Sequence, residues 1–211
     1  MEQLHLRDAE LRDAAVIAQL HVSSWRTTYN RILPDALLNG ISVGDRSEMW
    51  RAVISGASGE ADTTVIVAES GNKVVGFGAC GSQRDATLRE RGFDAEVGAI
   101  YVLRAEQRTG IGQRLMALMA QTLLDEGRTR VSLWLLRDNA QARSFYERLG
   151  GAQVHERVED QSGVPIQEVA YSWRDLLSLA GKCSQWVKAD TQPECPERGG
   201  KLSSRANGDM V

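Results

Sequence analysis

The sequence predicts a mixed α/β (α+β) fold, a sandwich of sheet and helices with one right-handed crossover near its middle. Three observations carry this reading. Thr64–Glu69 and Lys73–Ala79 are β-rich runs joined by Ser70-Gly71-Asn72, a hairpin signal. Glu96–Leu103, Gly110–Glu126 and Val131–Leu136 follow as strand, amphipathic helix and strand, the pattern of a parallel crossover. Ala152–Glu159 and Ile166–Trp173 flank Gln161-Ser162-Gly163, a second hairpin.

The remaining elements fall into place around these. Glu2–Arg7 reads as a short strand. Asp13 is placed to cap a helix running to Tyr29, with Val16, Ile17 and Leu20 on one face. Pro34 opens a short helix, and Arg46–Ile54 forms another, ended by the Gly/Ser-rich Ser55–Gly59. Ser82–Gly92 is polar and reads as a loop. In the 110–126 helix, Ile111, Leu115, Leu118, Met119 and Thr122 form the inner stripe, and Gly127 stands at the C-cap. Ala140–Leu149 is a helix closed by Gly150-Gly151. The composition then turns polar, and Gly181–Val211 reads as a mobile tail on which Trp186 and Val187 are the residues able to dock.

Bulk properties narrow the function. The 211 residues suit one domain with an appendage, and 42% apolar with 25% charged residues is ordinary for a soluble protein. A net charge of −3 argues against a nucleic-acid binder and suits a cationic substrate such as an amine. Cys80, Cys183 and Cys195 are odd in number and irregular in spacing, so no disulfide framework is expected. No apolar run has the length of a membrane span or a signal peptide, and a reducing cytoplasm fits. His5, His21 and His155 match no zinc spacing, and no metal is expected.

The chemistry concentrates in two motifs. Gln107-Arg108-Thr109-Gly110-Ile111-Gly112 lies between a strand and a helix. Unpaired N–H groups at a helix N-terminus, with glycines that let the backbone approach closely, suit a phosphate or pyrophosphate. The alternative is a tight turn with no ligand. The motif lacks the Gly-Lys-Ser/Thr of a P-loop and the spacing of a dinucleotide loop. Gly76-Phe77-Gly78-Ala79-Cys80-Gly81 does match G-x-G-x-x-G, but the polar Ser82–Thr87 follows it where a helix is needed. Those glycines are therefore expected to mark a strand packed closely against a neighbour. The second motif is Asn139-x-x-Ala142-x-x-Phe145-Tyr146-x-x-x-Gly150. Tyr146 is a possible proton donor to a leaving thiolate; otherwise Phe145 and Tyr146 are core aromatics.

In this order and across a strand, the two motifs resemble those of the GNAT acyltransferase superfamily over residues 2–175. His21-Val22-Ser23-Ser24-Trp25-x-x-x-Tyr29 and Glu168-Val169-Ala170-Tyr171-x-Trp173 look like a bacterial subgroup of it. The resemblance implies a mostly antiparallel sheet of six or seven strands, flanked by helices and splayed in the middle. It also implies a domain over residues 1–175 with residues 176–211 as an extension, acetyl-CoA as co-substrate, and a small-molecule primary amine as acceptor. A protein or peptide acceptor and a non-catalytic acyl-CoA sensor are the competing readings. A homodimer is expected from the family alone.

Carried over residue by residue, the resemblance gives the backbone of Gln107, Arg108, Thr109, Gly110, Ile111 and Gly112 the pyrophosphate. Ile100, Tyr101 and Val102 would pair with the pantetheine arm, and the N–H of Tyr101 or Val102 would polarise the thioester. Asn139 would hold the pantetheine side and Tyr146 would protonate the departing thiolate. Glu96 is a candidate base or a solvated strand-end acid. Trp134 stands where some relatives carry an acid, and Arg104 where the family usually has proline. Trp25 and Tyr29 share a helix face and either stack on the acceptor or serve the core. Glu168 is a candidate partner for an ammonium group.

Overall fold

A computed structural model describes residues 4–59, 62–161 and 163–187, without the side chains of 182–187. Seven strands form one sheet: β1 (Leu4–Asp8), β2 (Thr64–Ser70), β3 (Lys73–Ser82), β4 (Ala95–Val102), β5 (Val131–Leu136), β6 (Ala152–Gln161) and β7 (Val164–Trp173). Their spatial order is β1-β2-β3-β4-β5-β7-β6. All neighbours are antiparallel except β4 and β5, which run parallel. The helices are α1 (Ala14–Tyr29), α2 (Asp35–Asn39), α3 (Val43–Ile54), α4 (Ala86–Glu90), α5 (Ile111–Asp125), α6 (Ala140–Arg148) and α7 (Leu176–Val187).

Strand alternation sorts the core onto two faces. Val65, Val67, Phe77 and Ala79 meet Ile17, Leu20, Trp50 and Val53 of α1 and α3. Ile66, Ala68, Val97 and Val131 meet Leu115, Met116, Met119 and Leu123 of α5. Each such leucine or methionine contributes about 1.5–3 kcal/mol by leaving water. The glycines of β3 make the second face possible. A Cβ on Gly78 would lie 2.8 Å from the Met119 sulfur, and one on Gly76 3.0 Å from the Tyr101 carbonyl. The G-x-G-x-x-G match is thus a place where α5 presses on a central strand, with antiparallel neighbours on both sides.

Three expectations change. The Ser82–Gly92 loop contains α4, capped by Asp85 accepting from the Leu88 N–H at 2.9 Å, with Leu88 and Phe93 buried against Ala170. Asp13 does not cap α1; it accepts the Glu10 N–H at 2.7 Å and both Arg7 guanidinium nitrogens, because a carboxylate buried there needs a cation. A boundary at 175 would cut through packed structure: Leu176, Leu179 and Ala180 of α7 are buried in the α5 face. The first seven residues of the tail expected to be mobile, 181–187, instead continue α7, because the helix that packs on α5 runs on past Ala180. The rest of the tail and the Trp186 and Val187 side chains lie outside the described residues, as does Ser162 of the last turn.

Candidate active site

The sheet opens between β4 and β5. These strands pair only at Ala95–Val131 and Glu96–Ser132, and beyond that point no described strand pairs with β4 on that side. Gln83 closes the bottom of the gap. Its amide nitrogen donates to Ser132 Oγ at 2.5 Å and to the Ala95 carbonyl at 3.3 Å, all buried.

Pairing with β3 decides which β4 groups face the gap. Leu103 N–H donates to the Val75 carbonyl, and Tyr101 lies opposite Phe77 in the same register. In an antiparallel pair the bonded residues alternate, so Tyr101 directs its peptide groups to β3 while Ile100 and Val102 direct theirs into the gap. The Val102 carbonyl accepts from the Gln107 side chain at 3.1 Å, as that geometry requires. Of the two N–H groups the sequence left open for polarising a thioester, Val102 has the right direction and Tyr101 is committed to the sheet. A register shift between Ala79 and Cys80 puts a bulge at Gly98. It sets Ala99 and Tyr101 toward α1, while Ile100 and Val102 pack toward α5.

Residues 107–112 connect the gap to α5. Arg108 has φ 65° and Gly110 φ 90°, so two left-handed residues turn the chain into the helix. Such a turn gathers N–H groups into an anion-binding concavity at the positive end of α5. Gln107 fastens the loop at both sides, by donating to the Val102 carbonyl and by accepting a hydrogen bond from Gln141 Nε2 at 3.1 Å. Thr109 Oγ1 donates to the Glu106 carbonyl at 2.6 Å. Ile111 is buried, and a Cβ on Gly112 would lie 3.3 Å from the Phe145 ring, so this glycine also admits α6. Arg104 begins a 3₁₀ turn, Arg104–Glu106, leading into the loop.

Above the gap lies a group of phenols. Trp25 Nε1 donates to the Tyr101 hydroxyl at 2.8 Å, and Trp25 and Tyr29 meet edge to face at 5.1 Å. Asn139 caps α6 by accepting from the Ala142 N–H at 3.1 Å and also hydrogen-bonds Tyr29. Burial raises the Tyr29 hydroxyl, and hydrogen bonds from Asn139 and Tyr101 hold it back. Burial, then Tyr29 nearby, raises Tyr146 well above an ordinary phenol. Tyr101 shifts the same way for the same two reasons. Tyr29 and Tyr146 are buried, as core aromatics are, and Trp25 is half-buried beside Tyr29. Tyr146 packs edge to face on Phe145 at 5.1 Å and on Trp173 at 5.8 Å.

Below lies a cavity of about 450 Å³ beside Glu96, Gly98 and Trp134. Glu96 is not a solitary acid: Oε2 accepts the Arg84 N–H at 2.9 Å, and Oε1 accepts from the Arg84 guanidinium. Glu168 accepts from Arg157 Nε at 2.8 Å, and Arg157 Nη1 reaches Asp85 at 2.8 Å. The Arg157 guanidinium also covers the Trp134 ring at 4.1 Å. Glu168 is thus an anchor for Arg157 and not a carboxylate open to an ammonium group. Gln83, Arg84, Asp85 and Arg157 were not legible as site residues. Asp85 and Arg157 stand 72 positions apart, and only the fold brings them together. No cluster of three or more His, Cys, Asp or Glu able to hold a metal occurs among the described residues, and none of their helices is long and apolar enough to cross a membrane.

Comparison with known proteins agrees with this fold. The profile described as "Acetyltransferase (GNAT) family" matches residues 19–151. The uncharacterized N-acetyltransferase YuaI of Bacillus subtilis is 32% identical over 174 residues, covering 82% of this chain and 95% of its own. Among solved structures, the PaiA N-acetyltransferase of Thermoplasma acidophilum in complex with coenzyme A superposes with a TM-score of 0.62 at 18% identity. That match covers 81% of this chain and 99% of the other. YncA of Salmonella typhimurium, with its cofactor acetyl-CoA, superposes at 0.58 and 17% identity over 82% and 94%. The shared fold includes the seven-stranded, mostly antiparallel sheet.

Proposed function

This chain belongs to the GNAT acetyltransferase family, and from that premise we propose that it transfers the acetyl group of acetyl-CoA to the primary amine of a small molecule. The observation that carries the reading is the β4–β5 gap, with a phosphate-type cradle at one end and a polar cavity at the other. The chain's residues fit the co-substrate. The amides of 108–112 suit a pyrophosphate, and the Ile100 peptide groups with the Val102 N–H offer a strand edge to the amides of a pantetheine arm.

In the transfer, the amine nitrogen forms a bond to the thioester carbonyl carbon and the carbon–sulfur bond breaks. The Val102 N–H, aimed into the gap, stabilises charge growing on the carbonyl oxygen. Glu96 takes the proton the amine loses, through water, once the acceptor engages Arg84. Tyr146 hydrogen-bonds the departing thiolate. Asn139 keeps Tyr29 in register beside it, and Trp25 does so for Tyr101. The cavity's volume is in the range of small-molecule sites, which favours a small acceptor over a peptide.

Thermal unfolding with and without acetyl-CoA tests the first step. A ligand specific to the folded state at about 100 times its Kd adds about 2.7 kcal/mol. For a chain of this size that is a rise of about 5–10 °C. The same assay with NADH should show no shift; a shift with NADH alone would sink the reading.

A further inference from the structure

Resting on the transferase reading above, we infer that the acceptor carries a carboxylate beside its amine, and that Arg84 binds that carboxylate. Three observations converge on Arg84. Its guanidinium lies in the cavity at the foot of the β4–β5 gap, its side chain 55% exposed, bonded to the Glu96 candidate base. It lies flat on β4 because Gly98 has no side chain: a Cβ there would be 2.9 Å from Arg84 Nη2. The bulge at Gly98 thus gives a large cation a seat on the strand that borders the reacting centre. The third observation is the charge pattern around it. Asp85 and Glu168 already accept from Arg157, and Glu96 from Arg84. The Trp134 indole N–H, on a residue of the same wall, is buried and no described residue accepts from it.

The carboxylates of the cavity wall are therefore already engaged by arginines. A polyamine entering here would have to break arginine–carboxylate pairs with nothing to return to the arginine. A zwitterion brings its own anion: its carboxylate takes the forked guanidinium as its ammonium approaches Glu96. A free amino acid satisfies this, whereas a peptide N-terminus has an amide where the carboxylate is needed.

The test compares acceptors in one enzyme. CoA release from acetyl-CoA is followed with common amino acids, with their amides and with the corresponding decarboxylated amines. Wild type, Arg84→Gln, Arg84→Lys and Gly98→Ala are run in parallel, with thermal unfolding as a check on folding. The best amino acid should exceed its own amide and amine in kcat/KM by about 10- to 150-fold, the range of a hydrogen bond to a charged group. That ratio should fall to about 3-fold or less in Arg84→Gln, survive in part in Arg84→Lys, and shrink in Gly98→Ala, which displaces the guanidinium without removing its charge. A merely structural Arg84 would lower all three acceptors together and leave the ratio intact. Amine basicity cancels, because each ratio is compared between variants. Turnover of amines but not amino acids, or an unchanged ratio in Arg84→Gln, overturns the inference and leaves N-acetyl transfer standing. No turnover with any acceptor overturns the inference too, and the acetyl-CoA thermal shift then decides whether the transferase reading falls with it.

Discussion

Removing the Tyr146 hydroxyl is the most informative single change to the reaction. Tyr146→Phe keeps a ring packed between Phe145 and Trp173, so unfolding stability should change by no more than about 1 kcal/mol. The size of the kinetic effect follows from the burial that raises this phenol above its ordinary value near 10. A thiol titrates near 8.5, so full proton transfer from tyrosine to thiolate is uphill by more than about 2 kcal/mol. The phenol then acts by donating a hydrogen bond to the thiolate as charge grows on sulfur. Such a bond to a charged group contributes about 1.5–3 kcal/mol. The expected loss is therefore about 10- to 150-fold in kcat, at the low end of the range for a true general acid. CoA release under saturating acetyl-CoA and acceptor measures it, with thermal unfolding in parallel. An unchanged kcat in a normally folded variant refutes the assignment. A loss beyond 10⁴-fold would refute the argument from the raised phenol and restore full proton transfer.

Other consequences are open to the same assays. Glu96→Gln should lower kcat/KM by about 10²–10⁴-fold if Glu96 takes the amine proton; wild-type rates across the pH range would remove it from the mechanism. His21 is buried, accepts from Trp50 Nε1 at 3.1 Å, and is pushed down to about 4 by burial and then by Arg46. Its folded value lies below its unfolded value, so the unfolded chain binds more protons between about pH 4 and 6.5, and stability is lost as pH falls through that window. From pH 6.5 to 5 this costs about 2 kcal/mol, or about 4–8 °C in Tm; His21→Gln, which keeps an acceptor for Trp50, should flatten that slope. Gly151→Ala would put a Cβ 2.7 Å from the Trp173 ring and 3.0 Å from the Tyr146 carbonyl. The variant should unfold about 1–3 kcal/mol more easily, and an unchanged melting curve would show that α6 can shift without cost.

Local chemistry made much of the fold readable. Gly71-Asn72 fixes the β2–β3 hairpin, with Ser70 opposite Lys73. The apolar stripe of α5, with Gly110 before it and Gly127 after it, both at positive φ, marks the helix and its ends. The 107–112 loop and Asn139 were visible for the same reason, since the chemistry of a cap or a tight turn lies within a few residues. Sequence was weaker where a short polar segment acquires structure by packing. The α4 helix carries only Leu88 into the core, and its one local signal is Asp85 three positions earlier. The α7 helix runs across the point after Ala180 where the composition turns polar, and only its burial against α5 shows that it belongs to the domain.

The sequence by itself determined the seven strands, the longer helices α1, α3, α5 and α6, the crossover of β4, α5 and β5, and the family. Only the tertiary structure decided what joins across the sheet. Nothing local puts β7 between β5 and β6, parts β4 from β5 after two pairs, or selects the Val102 N–H over that of Tyr101. Nothing in the spacing of Arg84, Asp85, Glu96, Arg157 and Glu168 tells which cation meets which carboxylate. The physical reason is range. Caps, turns and amphipathic stripes are settled by neighbours within about one or two turns. Strand order, register and a charged cavity depend on residues dozens of positions apart, which come into contact only when both faces of the sheet are buried.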